Sequence, residues 1–113
     1  MEIAERNSGK VTVLDLSGRI TLGEGDVLLK DKLHSLVNQG RRDVLLNLGN
    51  VNYVDSAGLG AIVSAYTTMT RAGGSLKLAN VTKKLQDLLS ITKLLTVFET
   101  FDSEDEALRS YKN

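Results

Sequence analysis

Asp55 and Ser56 stand side by side in YVDSAGLGAIVSAY (residues 53–66), an acid and a hydroxyl followed closely by two glycines. The residues before them read as the end of a buried strand, and those after them as an amphipathic helix. Two chemistries suit such a join. One is structural: an Asp or Ser oxygen at a helix start accepts a hydrogen bond from an otherwise unpaired backbone amide. The other is modification. A serine at the end of a parallel strand and the start of a helix lies where ligand and reactive sites gather in α/β sheets. A phosphate placed there would meet free amides and the positive end of the helix dipole. A cap explains either residue but does not require both. Nor does it require Gly58 and Gly60, since glycine weakens a helical turn by roughly 1 kcal/mol relative to alanine. From pattern alone both readings stand.

Other candidates carry less. His34 is the only histidine, and it lies inside an expected helix without a sequence partner for a triad or dyad. With one His, no Cys and no EF-hand spacing of carboxylates, no metal site is expected. Gly58-Leu59-Gly60 is a fragment of a dinucleotide loop, but its third glycine would fall at Val63. The Gly-Lys-Ser/Thr of a phosphate-binding loop is also missing, both here and at Gly23-Glu24-Gly25. Glycines that permit a tight turn and close packing explain these positions better than a nucleotide does. Arg41-Arg42 and Thr82-Lys83-Lys84 read as solvated ends of elements.

Composition limits the function classes. One hundred and thirteen residues suit one domain with a modest core, and residues 1–113 are expected to form it without an internal boundary. Fourteen basic and fourteen acidic residues cancel, so there is no electrostatic case for nucleic acid. No apolar run is long enough to span a membrane, and the opening residues lack a signal-peptide core. With no cysteine there is no disulfide, thiolate or Cys-metal chemistry. A cytoplasmic location is the simplest expectation.

The join needs elements to hold it. Alternating residues predict a short strand over 3–6, a tight turn over 7–10, and a second strand over 10–20 punctuated by Gly18. Leu29, Leu33, Leu36 and Val37 mark a helix that Gly40 stops. Val44, Leu45, Leu46 and Leu48 form the continuous run of a strand buried on both faces. Leu59, Ile62, Val63, Tyr66 and Met69 line the next helix, which ends at Gly73-Gly74. SLKLANV predicts a strand, TKKLQDLLSITKL a helix, TVFETF a last strand and SEDEALRSY a last helix. Ser103 and Glu106 have capping-box spacing in that last helix. The order β-β-α-β-α-β-α-β-α implies an α/β fold: a mainly parallel sheet of four to five strands, opened by an antiparallel N-terminal strand and covered by about four helices.

The motif VDSAGLG, set in a chain of this length and order, resembles the STAS domain, and in particular the bacterial anti-sigma factor antagonists. The similarity extends over VTVLDLSGRI, DVLLNLGNVNYVDSAGLGAIVSAY, AGGSLKLANVTKKLQDLLSITKL and VFETFDSEDEAL, essentially the whole chain. It implies a phospho-regulated binding protein without catalysis or cofactor of its own. Its partners would be a serine-kinase anti-sigma factor and a phosphoserine phosphatase. Carried over by motif position, Ser56 is the phosphorylation site and Asp55 its acidic neighbour. Ala57, Gly58, Leu59 and Gly60 complete the docking segment, with the glycines keeping the helix start bare. Arg19 and Thr21, in the turn before the first helix, join that face. Two departures stand out. Ala57 replaces a hydroxyl found in many members, which leaves Ser56 as the acceptor. The loop TLGEGD differs from that of many relatives, which carry an aspartate sooner after Arg19 and Ile20. The alternatives are a STAS subunit of a stress-signalling or lipid-transport complex, and a nucleotide-binding module using the glycine-rich turn. The pattern fixes no oligomeric state.

Overall fold

The computed structural model describes residues 1–111. Its elements follow the expected order: β1 (Glu2–Ser8), β2 (Val11–Ile20), α1 (Asp26–Asn38), β3 (Asp43–Val54), α2 (Ser56–Arg71), β4 (Ser75–Ala79), α3 (Lys83–Ile91), β5 (Thr100–Phe101) and α4 (Glu104–Ser110). Among these residues the strands form one five-stranded sheet in the order β1-β2-β3-β4-β5. β1 runs antiparallel to β2, and every later pair is parallel. A hairpin followed by helical crossovers produces this arrangement, because a parallel neighbour cannot be reached by a tight turn.

The helices divide between the two faces. Leu14, Leu16, Leu46, Leu48, Leu76 and Leu78 meet Leu29, Leu33 and Leu36 of α1, Ile62 and Met69 of α2, and Leu85 and Leu89 of α3. On the other face, α4 sets Ala107 over Val11, Val13, Leu45 and Ala79. β3 is therefore covered on both sides, and Val44, Leu45, Leu46 and Leu48 are all fully buried. Each such leucine contributes about 1.5–3 kcal/mol relative to an exposed one.

The second strand reaches Ile20 as expected, and Gly18 punctuates it from within. It lies within β2 at φ +93°, beside register shifts against β3 at Asp15/Ser17 and Gly18/Arg19. The strand thus bends through a bulge and carries on to Ile20, which is what brings its end beside α2. One expectation needs correction: TVFETF is not a six-residue strand, because only Thr100 and Phe101 pair with β4. Val97 closes a turn onto the Leu94 carbonyl, and Phe98 is drawn into the core. There its ring meets Tyr66 edge-on at a centroid distance of 5.3 Å.

Beyond α4, a polar ladder crosses the second face. The Arg6 guanidinium donates to both oxygens of Asp15, at 2.6 and 2.9 Å, and to both oxygens of Glu104, at 3.1 and 2.6 Å. Asn47 donates to Asp15 at 2.8 Å, and Asn80 donates to Asn47 at 3.0 Å. The Arg6 hydrogen bonds hold the Asp15 carboxyl below its usual value, against some desolvation, with Asn47 assisting. A depressed folded-state value contributes stability above the unfolded value of about 3.9, and that stability is lost as pH falls through the folded value. Water reaches this network, so Arg6→Gln is expected to cost only about 1 kcal/mol or less at pH 7. The cost should shrink as pH falls below the unfolded value toward 2. Urea midpoints of both proteins across pH 2–7 test this, and an undiminished gap at pH 2 would contradict it.

Candidate functional site

β3 ends at Val54, opposite Ile20 of β2 in the parallel register, and α2 begins at Ser56. Asp55 is the turn between them and is the N-cap of α2, with extended backbone. Its Oδ1 accepts from the Gly58 amide at 2.8 Å and its Oδ2 from the Leu22 amide at 3.0 Å. Its own amide donates to the Ile20 carbonyl at 3.3 Å. These two side-chain bonds, Gly58 first, hold the Asp55 carboxyl below its usual value, so it is an anion at neutral pH. The cap is thus supplied by the acid, and the exposed Ser56 hydroxyl is not used for it.

The glycines behave differently from one another. A Cβ on Gly60 would meet nothing within 4 Å, so that side of the helix start is bare. Gly58 is not bare: it is buried, and a Cβ there would lie 1.9 Å from the Ile20 carbonyl oxygen. Its function is close approach, letting α2 abut the end of β2. Leu59 is likewise turned into the core at 8% exposure. Of the expected docking segment, Asp55, Ser56, Ala57 and Gly60 therefore offer surface, while Gly58 and Leu59 support it from beneath. Gly58 also has its amide committed to Asp55, so the turn offers no free glycine amide there for a nucleotide phosphate.

Arg19 and Thr21 do come to this corner. The exposed Arg19 guanidinium lies 4.8 Å from the centre of the Tyr53 ring, its register partner on β3. The Thr21 carbonyl accepts from the amides of Glu24, Gly25 and Asp26, which closes the loop before α1. Leu22 was not singled out in the sequence, yet its amide ties this loop to Asp55 and its side chain is 76% exposed. An apolar residue inside a glycine-rich polar loop was the available signal. His34 is exposed on α1. Among the described residues no group of three His, Asp or Glu is placed to hold a metal, and no helix is long and apolar enough to cross a membrane.

A mixed sheet opened by a hairpin, with an acid-capped helix presenting a spare serine beside a closed loop, defines a small α/β domain built to show one surface. The chain belongs to the STAS domain family, whose sequence pattern matches residues 2–107. It is 35% identical over 95 residues to the anti-sigma-B factor antagonist of Bacillus subtilis, covering 84% of each chain. Its fold superposes with a TM-score of 0.91 on a candidate anti-sigma factor antagonist of Thermotoga maritima, at 24% identity and covering 98% of this chain and 95% of that one. The phosphorylated form of the Bacillus cell fate determinant SpoIIAA has the same fold, with a TM-score of 0.77 at 16% identity, covering 98% of this chain and 100% of that one.

Proposed function

We propose that the protein is an anti-sigma factor antagonist. It binds a serine-kinase anti-sigma factor through the surface around Asp55 and Ser56, and so frees a sigma factor. Phosphorylation of Ser56 by that kinase ends the complex, and a phosphoserine phosphatase restores it. The protein acts in the cytoplasm as a binding partner, with no chemistry and no nucleic-acid contact of its own. The observation that carries this reading is the division of labour at the join. Asp55 alone caps α2, which leaves an exposed serine hydroxyl at a helix start with no structural duty. An anion at that place is favoured by the helix dipole, so a phosphate can be accepted without disturbing the fold. The antagonists named among its relatives support the same assignment.

The test is the intact mass of the protein after ATP and the serine-kinase anti-sigma factors of its own cell. One added phosphate is expected, absent from Ser56→Ala. No phosphate from kinases active on their other substrates would return the pair to helix capping, and would favour a constitutive STAS subunit.

A further inference from the structure

The loop over residues 21–25 combines an ordered backbone with an uncovered side chain. Its amides at Glu24, Gly25 and Asp26 donate to the Thr21 carbonyl at 3.1, 3.1 and 3.3 Å. The Gly23 amide donates to Asp26 at 2.8 Å, and the Leu22 amide to Asp55 at 3.0 Å. Yet the Leu22 side chain is 76% exposed, with Val27 at 56% and Tyr53 at 49% on the elements that adjoin it. Covering an apolar side chain on a backbone already held in place costs little further ordering. An apolar side chain left uncovered on a loop tied to the Asp55–Ser56 join is a candidate contact for whatever docks there. The Leu22 amide is also tied to Asp55, the residue next to Ser56, which sets this loop beside the proposed docking surface.

We propose that Leu22 is an apolar anchor for the partner that reads Ser56, and that Asp55 is the residue positioning it. The proposal rests on the function given above and adds the means by which the partner is gripped. Asp55 can do this because it has two acceptor oxygens, one for each of two distant amides: Gly58 in its own helix and Leu22 across the join. Asparagine caps a helix about as well as aspartate but has a single acceptor oxygen. In Asp55→Asn the oxygen would serve the cap, and the side-chain NH2 would face the Leu22 N–H, donor against donor. The helix start would survive while the loop came free.

The experiment has two arms. In the isolated protein, hydrogen exchange at the Leu22 amide is expected to be at least about tenfold faster in Asp55→Asn than in the parent. With the kinase that modifies Ser56, Leu22→Ala is expected to weaken binding about tenfold, the scale of one well-covered anchor. Asp55→Asn should weaken it as well, and the double variant should bind little worse than the weaker single one. A mere loss of charge at Asp55 would instead add to the Leu22→Ala effect. Leu22 lies on the surface, so its removal leaves the fold intact. Unchanged binding by Leu22→Ala, additive effects, or equal exchange in both proteins would each overturn the proposal. If no kinase modifies Ser56, the functional reading fails instead. Exchange at Leu22 then still decides the positioning by Asp55, since that arm needs no partner.

Discussion

Gly58→Ala is expected to destabilise the protein by about 3 kcal/mol or more, the upper range for forcing atoms into a packed site. The added Cβ would lie 1.9 Å from the Ile20 carbonyl oxygen, 2.7 Å from its carbon and 3.0 Å from Ile20 Cγ2. Two of those atoms are backbone, so no rotamer change relieves the clash. Either α2 lifts away from the sheet or the end of β2 bends. Both motions pull on the same joint, stretching the Asp55 amide bond to Ile20 and the Asp55 carboxylate bond to Leu22. Gly60 is the internal control. It lies two residues further along the same turn with nothing within 4 Å. Gly60→Ala is therefore expected to leave stability unchanged or raise it by up to about 1 kcal/mol, the helix-propensity difference. Urea unfolding of the parent and both variants decides the matter. For a chain of this size the melting point of Gly58→Ala should fall on the order of 10 °C or more. A Gly58→Ala protein as stable as the parent would mean that the close approach at Ile20 is not real.

The same two glycines mark the limit of what could be read from the residues alone. Each breaks helix propensity equally; the pattern offered a tight turn and close packing for both, and the resemblance a bare helix start for both. What separates them is a carbonyl 38 positions earlier in the chain for one and open solvent for the other, and that depends on how β2 ends. The bulge at Gly18 that brings β2 to that end leaves only a lone glycine in the sequence. By contrast, elements defined by local periodicity were legible. The apolar run from Val44 to Leu48 declared a central strand, and the leucines of α1 declared its inward face. TVFETF was misread because alternation over six residues resembles a strand even where Phe98 is drawn into the core before pairing begins. At the site, Asp55 and Ser56 were both visible as candidates. Which of them caps the helix required the geometry, because an acid and a hydroxyl are equally good caps on paper. The tie from Asp55 to Leu22 joins residues 33 apart and had no local trace.

Phosphoserine at position 56 is expected to weaken the proposed complex with a serine-kinase anti-sigma factor about a hundredfold, or ~3 kcal/mol, with the fold unchanged. The phosphate adds about −1.5 to −2 charges at neutral pH. It arrives beside Asp55, already an anion because the Gly58 and Leu22 amides hold its carboxyl below the usual value. Docking would strip water from both charges against a surface rimmed by the exposed Leu22 and Tyr53 side chains. Like charges and desolvation then act in the same direction against the complex. The free protein escapes the penalty, since its phosphate stays hydrated at the positive end of α2. The sign with pH follows from the second phosphate ionisation near pH 6, raised somewhat by the neighbouring carboxylate. Above it the phosphate is a dianion and the penalty is full. As pH falls through it the phosphate becomes a monoanion and the penalty shrinks. Installing phosphoserine at position 56 during translation makes the measurement independent of any kinase activity. Affinities of the modified and unmodified proteins at pH 5.5 and 8, with thermal melts of each, provide the test. The affinity ratio should be larger at pH 8, and the two melting points should differ by no more than a few degrees. A modified protein that binds as tightly as the parent, or one that loses affinity only because it has melted, would remove the electrostatic switch from this surface.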